Sequence, residues 1–224
     1  MFENDEFRKA RLAILIAFLI NGFSVGNFVS SIPDYKYELE ISNGVLGAAL
    51  FCASIGVLAA LRPTSRAAAK YGSGPVVKFS AFTLALAVPS IGLLFSLPWF
   101  LFSLFIYGVL SSIHDLSINA HAAALENRAG KRVMSTFHAM WSIGGLTGGA
   151  IGGVLASFNV SILIHAIGVG LFIALVALFT RNWFLPAEAD QHVIEKHEKR
   201  KTPRRFVILG LLGLCGALGE GAAS

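Results

Sequence analysis

Gly108-Val-Leu-Ser-Ser-Ile-His114-Asp115-Leu-Ser-Ile-Asn119-Ala-His121-Ala-Ala-Ala-Leu-Glu126-Asn-Arg128-Ala-Gly-Lys131-Arg132 is the stretch whose reading decides the fold. It continues an apolar run that starts near Trp99, so it reads as the second half of a membrane helix. Asp115 nevertheless lies well inside that run. At about 100° per residue, Ser111, Asp115, Asn119, Ala122 and Glu126 fall on one stripe of the helix. A carboxylate facing lipid costs roughly 2.5–3.5 kcal/mol on insertion scales, so the stripe is expected to face other helices or a wet cavity.

Composition supports a membrane setting. Hydrophobic residues make up 55% of the 224-residue chain and charged residues 14%, a balance foreign to soluble domains. The 23 glycines suit helices that approach closely in lipid. Cys52 and Cys215 both sit in apolar runs and read as packing residues, not as a disulfide. The formal charge of +5 is not a nucleic-acid signal, because the basic residues gather in alternate loops. Arg8, Lys9 and Arg11 precede the first apolar run. Arg62, Arg66, Lys70 and Lys78 lie between the second and third. Arg128, Lys131 and Arg132 lie between the fourth and fifth, and Arg181 and Lys196 to Arg205 follow the sixth. Of the basic residues, Lys36 alone sits in an opposite loop, among Asp34, Glu38 and Glu40. The positive-inside rule then places the N-terminus in the cytoplasm.

The apolar runs predict an all-α membrane protein. A six-helix bundle is expected over residues 1–185, with spans at about 12–32, 43–61, 76–97, 99–124, 135–157 and 160–180. Each is long enough to cross about 30 Å of hydrocarbon as a helix. A basic linker is expected over 186–205, as a cytoplasmic anchor at anionic headgroups. A truncated seventh transmembrane helix is expected over 206–224. Glu3, Asp5 and Glu6 crowd the start, so the first run reads as an uncleaved span and not as a signal peptide. Residues 33–42 read as an outside loop, and Ser42 as a helix N-cap. The basic stretch 62–75 reads as a turn-rich loop following Pro63. Pro89 predicts a kink in the third span. Gly22 and Gly26 form a small-xxx-small notch. Gly144-Gly145, Gly148-Gly149 and Gly152-Gly153 lay a glycine groove along the fifth span, where another helix can approach backbone to backbone.

Order and loop pattern resemble the N-terminal half of a major facilitator superfamily transporter. The loop signature of that family is thin here. In the register Ser65 to Gly74, the turn glycine Gly72 and the basic Lys70 match, and Ala69 stands where the family carries an aspartate. The charged latch of that aspartate therefore cannot form in the usual way. The spacing Asp115-x3-Asn119-x6-Glu126, the segment Phe137-His138-Ala-Met-Trp141-Ser142, and Gly219-Glu220-Gly221 in the seventh run are similar to the fucose-permease and YbjJ-like bacterial branch. The resemblance implies secondary active transport of a small solute by alternating access between two bundles. It implies proton-coupled symport, a sugar or related polar metabolite as solute, and a C-terminal bundle or second chain as partner.

Asn21, Asp115, Asn119 and Glu220 are the candidates for the substrate or proton path. Burial favours the neutral form of Asp115, as a proton carrier requires. A structural carboxylate bonded to Asn119 or Ser111 fits the same position. For Asn21 and Asn119, a plain interhelical or local hydrogen bond fits equally. Glu126, Arg128 and His138 are candidates for gating or structural ion pairs. His165 fits either a cavity wall or a packed core. His114 and His121 point off the Asp115 stripe and read as packing residues; their spacing with Asp115 is wrong for a metal site. With no Walker loop and no nucleophile–base pair, neither ATP hydrolysis nor other enzyme chemistry has a seat, and no cofactor is expected. The alternative class is a non-transporting membrane protein, either a truncated remnant or a half-length bundle needing a partner.

Overall fold

The computed structural model describes residues 5–187. Most of the expected linker, the expected seventh span, Cys215 and Glu220 lie outside the described residues. Every regular element among those described is a helix: α1 (Asp5–Ser30), α2 (Ile32–Glu38), α3 (Asn43–Tyr71), α4 (Ser73–Gly92), α5 (Leu97–Ala129), α6 (Met134–Ser157) and α7 (Ile162–Thr180). All but α2 are long and apolar enough to cross a bilayer.

Helix starts follow from local chemistry. Ser42, Ser96 and Ser161 each cap a helix by accepting a hydrogen bond from the amide three residues on. Gly130 ends α5 in the left-handed conformation at φ 61°, which glycine adopts without a Cβ penalty.

Two stretches read as loops are helical. Residues 32–38 form α2, because Pro33 presets the first turn and Asp34 sits favourably at its N-terminal end. α3 does not stop before Pro63 but runs through it to Tyr71. A proline removes one backbone bond, and the rest of the helix carries the turn past it. Thr64 and Ser65 bond back to Ala60 and Leu61 in the same turn. Arg62, Arg66 and Lys70 therefore lie on a helix, at what we call the basic end of the bundle.

The helices pack as two interleaved triplets. α1 packs on α6, α3 on α5, and α4 on α7. The first helix of each triplet thus meets the second helix of the other, and the third meets the third, as in an inverted repeat. Glycines make each contact possible from both sides. A Cβ at Gly22 would run into the Trp141 carbonyl of α6, and one at Gly144 into the Leu19 carbonyl of α1. Gly56 of α3 and Gly108 of α5 stand in the same relation to Phe105 and Ala53. Gly92 of α4 faces Ala166, and Gly170 of α7 faces Ala85 and Pro89. The glycine groove expected on the fifth span is thus filled by α1. A Cβ on the first glycine of each pair would strike α1, one on Gly145 or Gly149 would meet an α1 carbonyl at 3.8 Å, and one on Gly153 would meet nothing within 4 Å.

Two apolar cores follow. One surrounds Leu84, Ile91, Phe100, Leu104 and Ile173. The other, towards the basic end, gathers Ile14, Phe18, Ile118, Leu125 and Phe137. Outer surfaces are apolar too, with Phe51 and Leu58 of α3, Leu146 of α6 and Leu175 of α7 exposed. That is the inside-out pattern of helices solvated by lipid or by further helices.

Candidate functional site

Asp115 lies half-buried on α5. One turn on, the Asn119 Nδ2 donates to the Asp115 carbonyl at 2.8 Å and to its carboxyl Oδ1 at 3.3 Å. Ser111, one turn earlier, is also half-buried. The stripe read from the periodicity is therefore a half-open polar strip, with one carboxylate oxygen tethered. His138, exposed near the start of α6, lies within electrostatic reach of that carboxyl. Its ring meets Phe18 edge-on at 5.3 Å between centroids.

Asn21 is buried on α1. Its Oδ1 accepts the indole N–H of Trp141 from α6 at 2.9 Å. Its Nδ2 has no hydrogen-bond partner among the described residues. A buried amide donor left open is costly, on the order of 1–3 kcal/mol.

α1 makes two more polar ties. Ser24 and Tyr107 of α5 share a hydrogen bond of 3.3 Å. Further along, the His165 Nε2 of α7 donates to Asn27 Oδ1 at 2.7 Å. Asn27, Ser31, Tyr35, Tyr107 and His165 line a small, partly open cavity of about 10 Å³, the size one water molecule needs. Tyr35 sits on α2, outside the spans, and burial pushes its phenol up, so the hydroxyl stays protonated. His165, which fitted either a cavity wall or a packed core, is buried.

At the basic end, Glu126 bonds to backbone and, among the described residues, makes no ion pair. Its Oε2 accepts the backbone amides of Val133 and Met134 at 2.7 and 2.9 Å. It caps the start of α6 from the last turn of α5, where a carboxylate also favours the helix dipole. Arg128, two residues on, is exposed. Among the described residues no Glu126–Arg128 ion pair forms; the Asp5–Lys9 pair at 2.6 Å lies on the exposed start of α1. Nor do the described residues gather three potential metal ligands.

The structure thus brings together Asp115, Asn119 and His138 from α5 and α6, and separately Asn21 and Trp141 from α1 and α6. Trp141 and Tyr107 were not among the sequence candidates. Both lie on spans whose apolar composition hides which polar atom meets a partner 80 or more positions away.

The family model of the Major Facilitator Superfamily matches residues 14–219. The chain belongs to the Major Facilitator Superfamily. Facilitator relatives are similar over much of its length. An uncharacterised transporter of Sinorhizobium fredii is 27% identical over 217 residues, covering 94% of this chain and 56% of the relative. An uncharacterised facilitator-type transporter of Yersinia pestis is 30% identical over 141 residues, covering 63% of this chain and 36% of the relative. The membrane protein MosC of Rhizobium meliloti is 25% identical over 219 residues, covering 94% of this chain and 51% of the relative. The chain therefore spans about half the length, or less, of the curated relatives it matches. In fold it is similar to the crystal structure of the nucleoside transporter NupG, with a TM-score of 0.66 at 14% identity, covering 87% of this chain and 47% of that one. This facilitator chain is thus an integral membrane protein of a transporter family, which handles small-molecule solutes in a lipid bilayer and is not an enzyme class.

Proposed function

We propose that this facilitator chain supplies the N-terminal bundle of a secondary active transporter, a proton-coupled symporter for a small polar solute. Asp115 is the proton-titrating group, with Asn119 holding one of its oxygens and His138 facing it. Asn21, with its open amide donor, is a solute contact on α1. Glu220 is assigned to the same path from the seventh span. Glu126, Arg128 and His138 set the basic end, with Glu126 acting through the α6 cap. The bundle is completed by a C-terminal bundle, in the same chain or a second one. Its basic end faces the cytoplasm of a bacterial cell, with the N-terminus and the linker over 186–205 on that side.

The observation that carries this reading is the half-open Asp115–Asn119 strip on a membrane helix of a transporter family. A carboxylic acid held inside a bilayer-spanning segment marks an ion or solute pathway more often than a scaffold. Sugars come first in a solute screen, on the resemblance to the fucose-permease branch.

The test is accumulation of a panel of radiolabelled sugars and polar metabolites in membrane vesicles carrying the intact gene product, driven by an imposed proton gradient. Asp115→Asn is expected to abolish gradient-driven accumulation while leaving membrane insertion unchanged. Unaltered accumulation in that variant removes Asp115 from coupling. A panel in which nothing accumulates, although the protein inserts, favours the non-transporting class.

A further inference from the structure

The chain does not leave the bundle freely after α7. Trp183 bonds back to the Thr180 carbonyl in a turn, and the next residues pack on the bundle near the α3–α4 turn. Phe184 and Leu185 join the second apolar core with Ile14, Val77, Ile118 and Phe137, so this short segment covers α1, α4, α5 and α6 from below. Leu185 is 2% exposed.

One side chain holds it there. His121 of α5 is 1% exposed and makes a bond with each ring nitrogen. The Leu185 amide donates to its Nε2 at 3.2 Å. An Nε2 that accepts carries no proton, so the neutral ring bears its hydrogen on Nδ1. That Nδ1 lies 2.7 Å from the Ser73 hydroxyl at the first residue of α4 and donates to it. The Phe184 ring meets the imidazole edge-on at 5.6 Å. Lys78 of α4 and Arg128 of α5 lie within electrostatic reach of the ring. The α3–α4 turn leaves space for the segment. A Cβ at Gly74 would strike the Leu185 carbonyl, and one at Gly72 would strike Ala187. Gly72 also has φ 78°, so two independent constraints keep a side chain off that position.

We infer that Phe184 and Leu185 form a strap that closes the basic end of the bundle, and that neutral His121 is the pin that fixes the strap to α4 and α5. The strap keeps water from the core around Phe18 and Phe137. It also makes α4, α5 and the exit of α7 one rigid unit, so that whatever follows the sixth span hangs from a fixed point. His121 here is a positioning residue; it acts through a backbone amide. This inference stands apart from the transport reading, since it invokes neither solute nor Asp115.

The experiment uses the full chain in lipid nanodiscs. In ¹⁵N-histidine spectra, His121 is expected as the Nδ1–H tautomer. Amide hydrogen exchange over residues 183–187 is then compared between the wild type, His121→Phe and His121→Gln. Phenylalanine keeps the ring volume and removes the acceptor; glutamine restores an acceptor at a similar reach. At least tenfold faster exchange at Leu185 is expected in His121→Phe, with much of the protection returning in His121→Gln. Unchanged exchange in His121→Phe overturns the pin. If His121→Phe does not fold, the wild-type spectrum decides: an Nε2–H tautomer, or a doubly protonated ring at neutral pH, overturns it.

Discussion

At the scale of single residues, the fate of each polar side chain depends on what it meets across a helix–helix boundary. Glu126 illustrates this. Its place near the basic end suggested gating or ion pairing, yet its carboxylate turns to the two amides that open α6. Removing that acceptor leaves the two amides at the start of α6 without their carboxylate partner. Glu126→Ala is therefore expected to lower the thermal midpoint in detergent, and Glu126→Gln, which keeps an acceptor, to lower it by less. Equal stability of Glu126→Ala and the wild type contradicts the capping role. The stripe through Ser111, Asp115 and Asn119 was legible because it needs only the 3.6-residue period and the cost of charge in oil. The partners of Asn21, His165 and His121 were not. They sit 120, 138 and 64 positions away, and nothing local in an apolar run specifies which residue arrives there.

At the scale of elements, glycine placement decides which helices touch. Gly22, Gly26, Gly144 and Gly148 let α1 and α6 approach until carbonyls of one lie over glycine carbons of the other. A side chain in that seam must push the helices apart. Gly22→Val or Gly144→Val is expected to cost about 1–3 kcal/mol or more through overpacking, read as loss of folded protein in thermal or detergent-challenge assays. Gly153→Ala is the control: nothing stands near its Cβ, and alanine gains about 0.5–1 kcal/mol over glycine within a helix. Comparable losses in all three variants contradict a seam that runs through Gly22 and Gly144 and leaves Gly153 outside it. The groove itself was visible as a four-residue repeat, whereas its partner helix was not. Helix ends were less legible than helix cores. Pro63 read as a terminator, because a proline weakens a helix locally; the flanking turns of α3 outweigh that loss. Pro33 read as part of a loop, where it in fact opens α2.

At the scale of the whole molecule, the described residues form half of an architecture. The reciprocal packing of α1 on α6, α3 on α5, and α4 on α7 leaves α5 presenting a polar strip at one side, among exposed apolar faces of α3, α6 and α7. Fold class was legible from composition and run length alone, because lipid admits so few backbone solutions. Solute identity was not, since a handful of polar atoms on apolar walls serves many solutes. The central claim is that the Asp115 strip looks into water, while the outer apolar faces look into lipid. It is tested by single cysteines at Ser111, Asn119 and, as lipid-facing control, Leu175, in a Cys52→Ser, Cys215→Ser background of the intact gene product in native membranes. A charged, membrane-impermeant thiol reagent should label Ser111→Cys and Asn119→Cys and leave Leu175→Cys untouched; labelling at Leu175→Cys with none at the two strip positions would contradict the account.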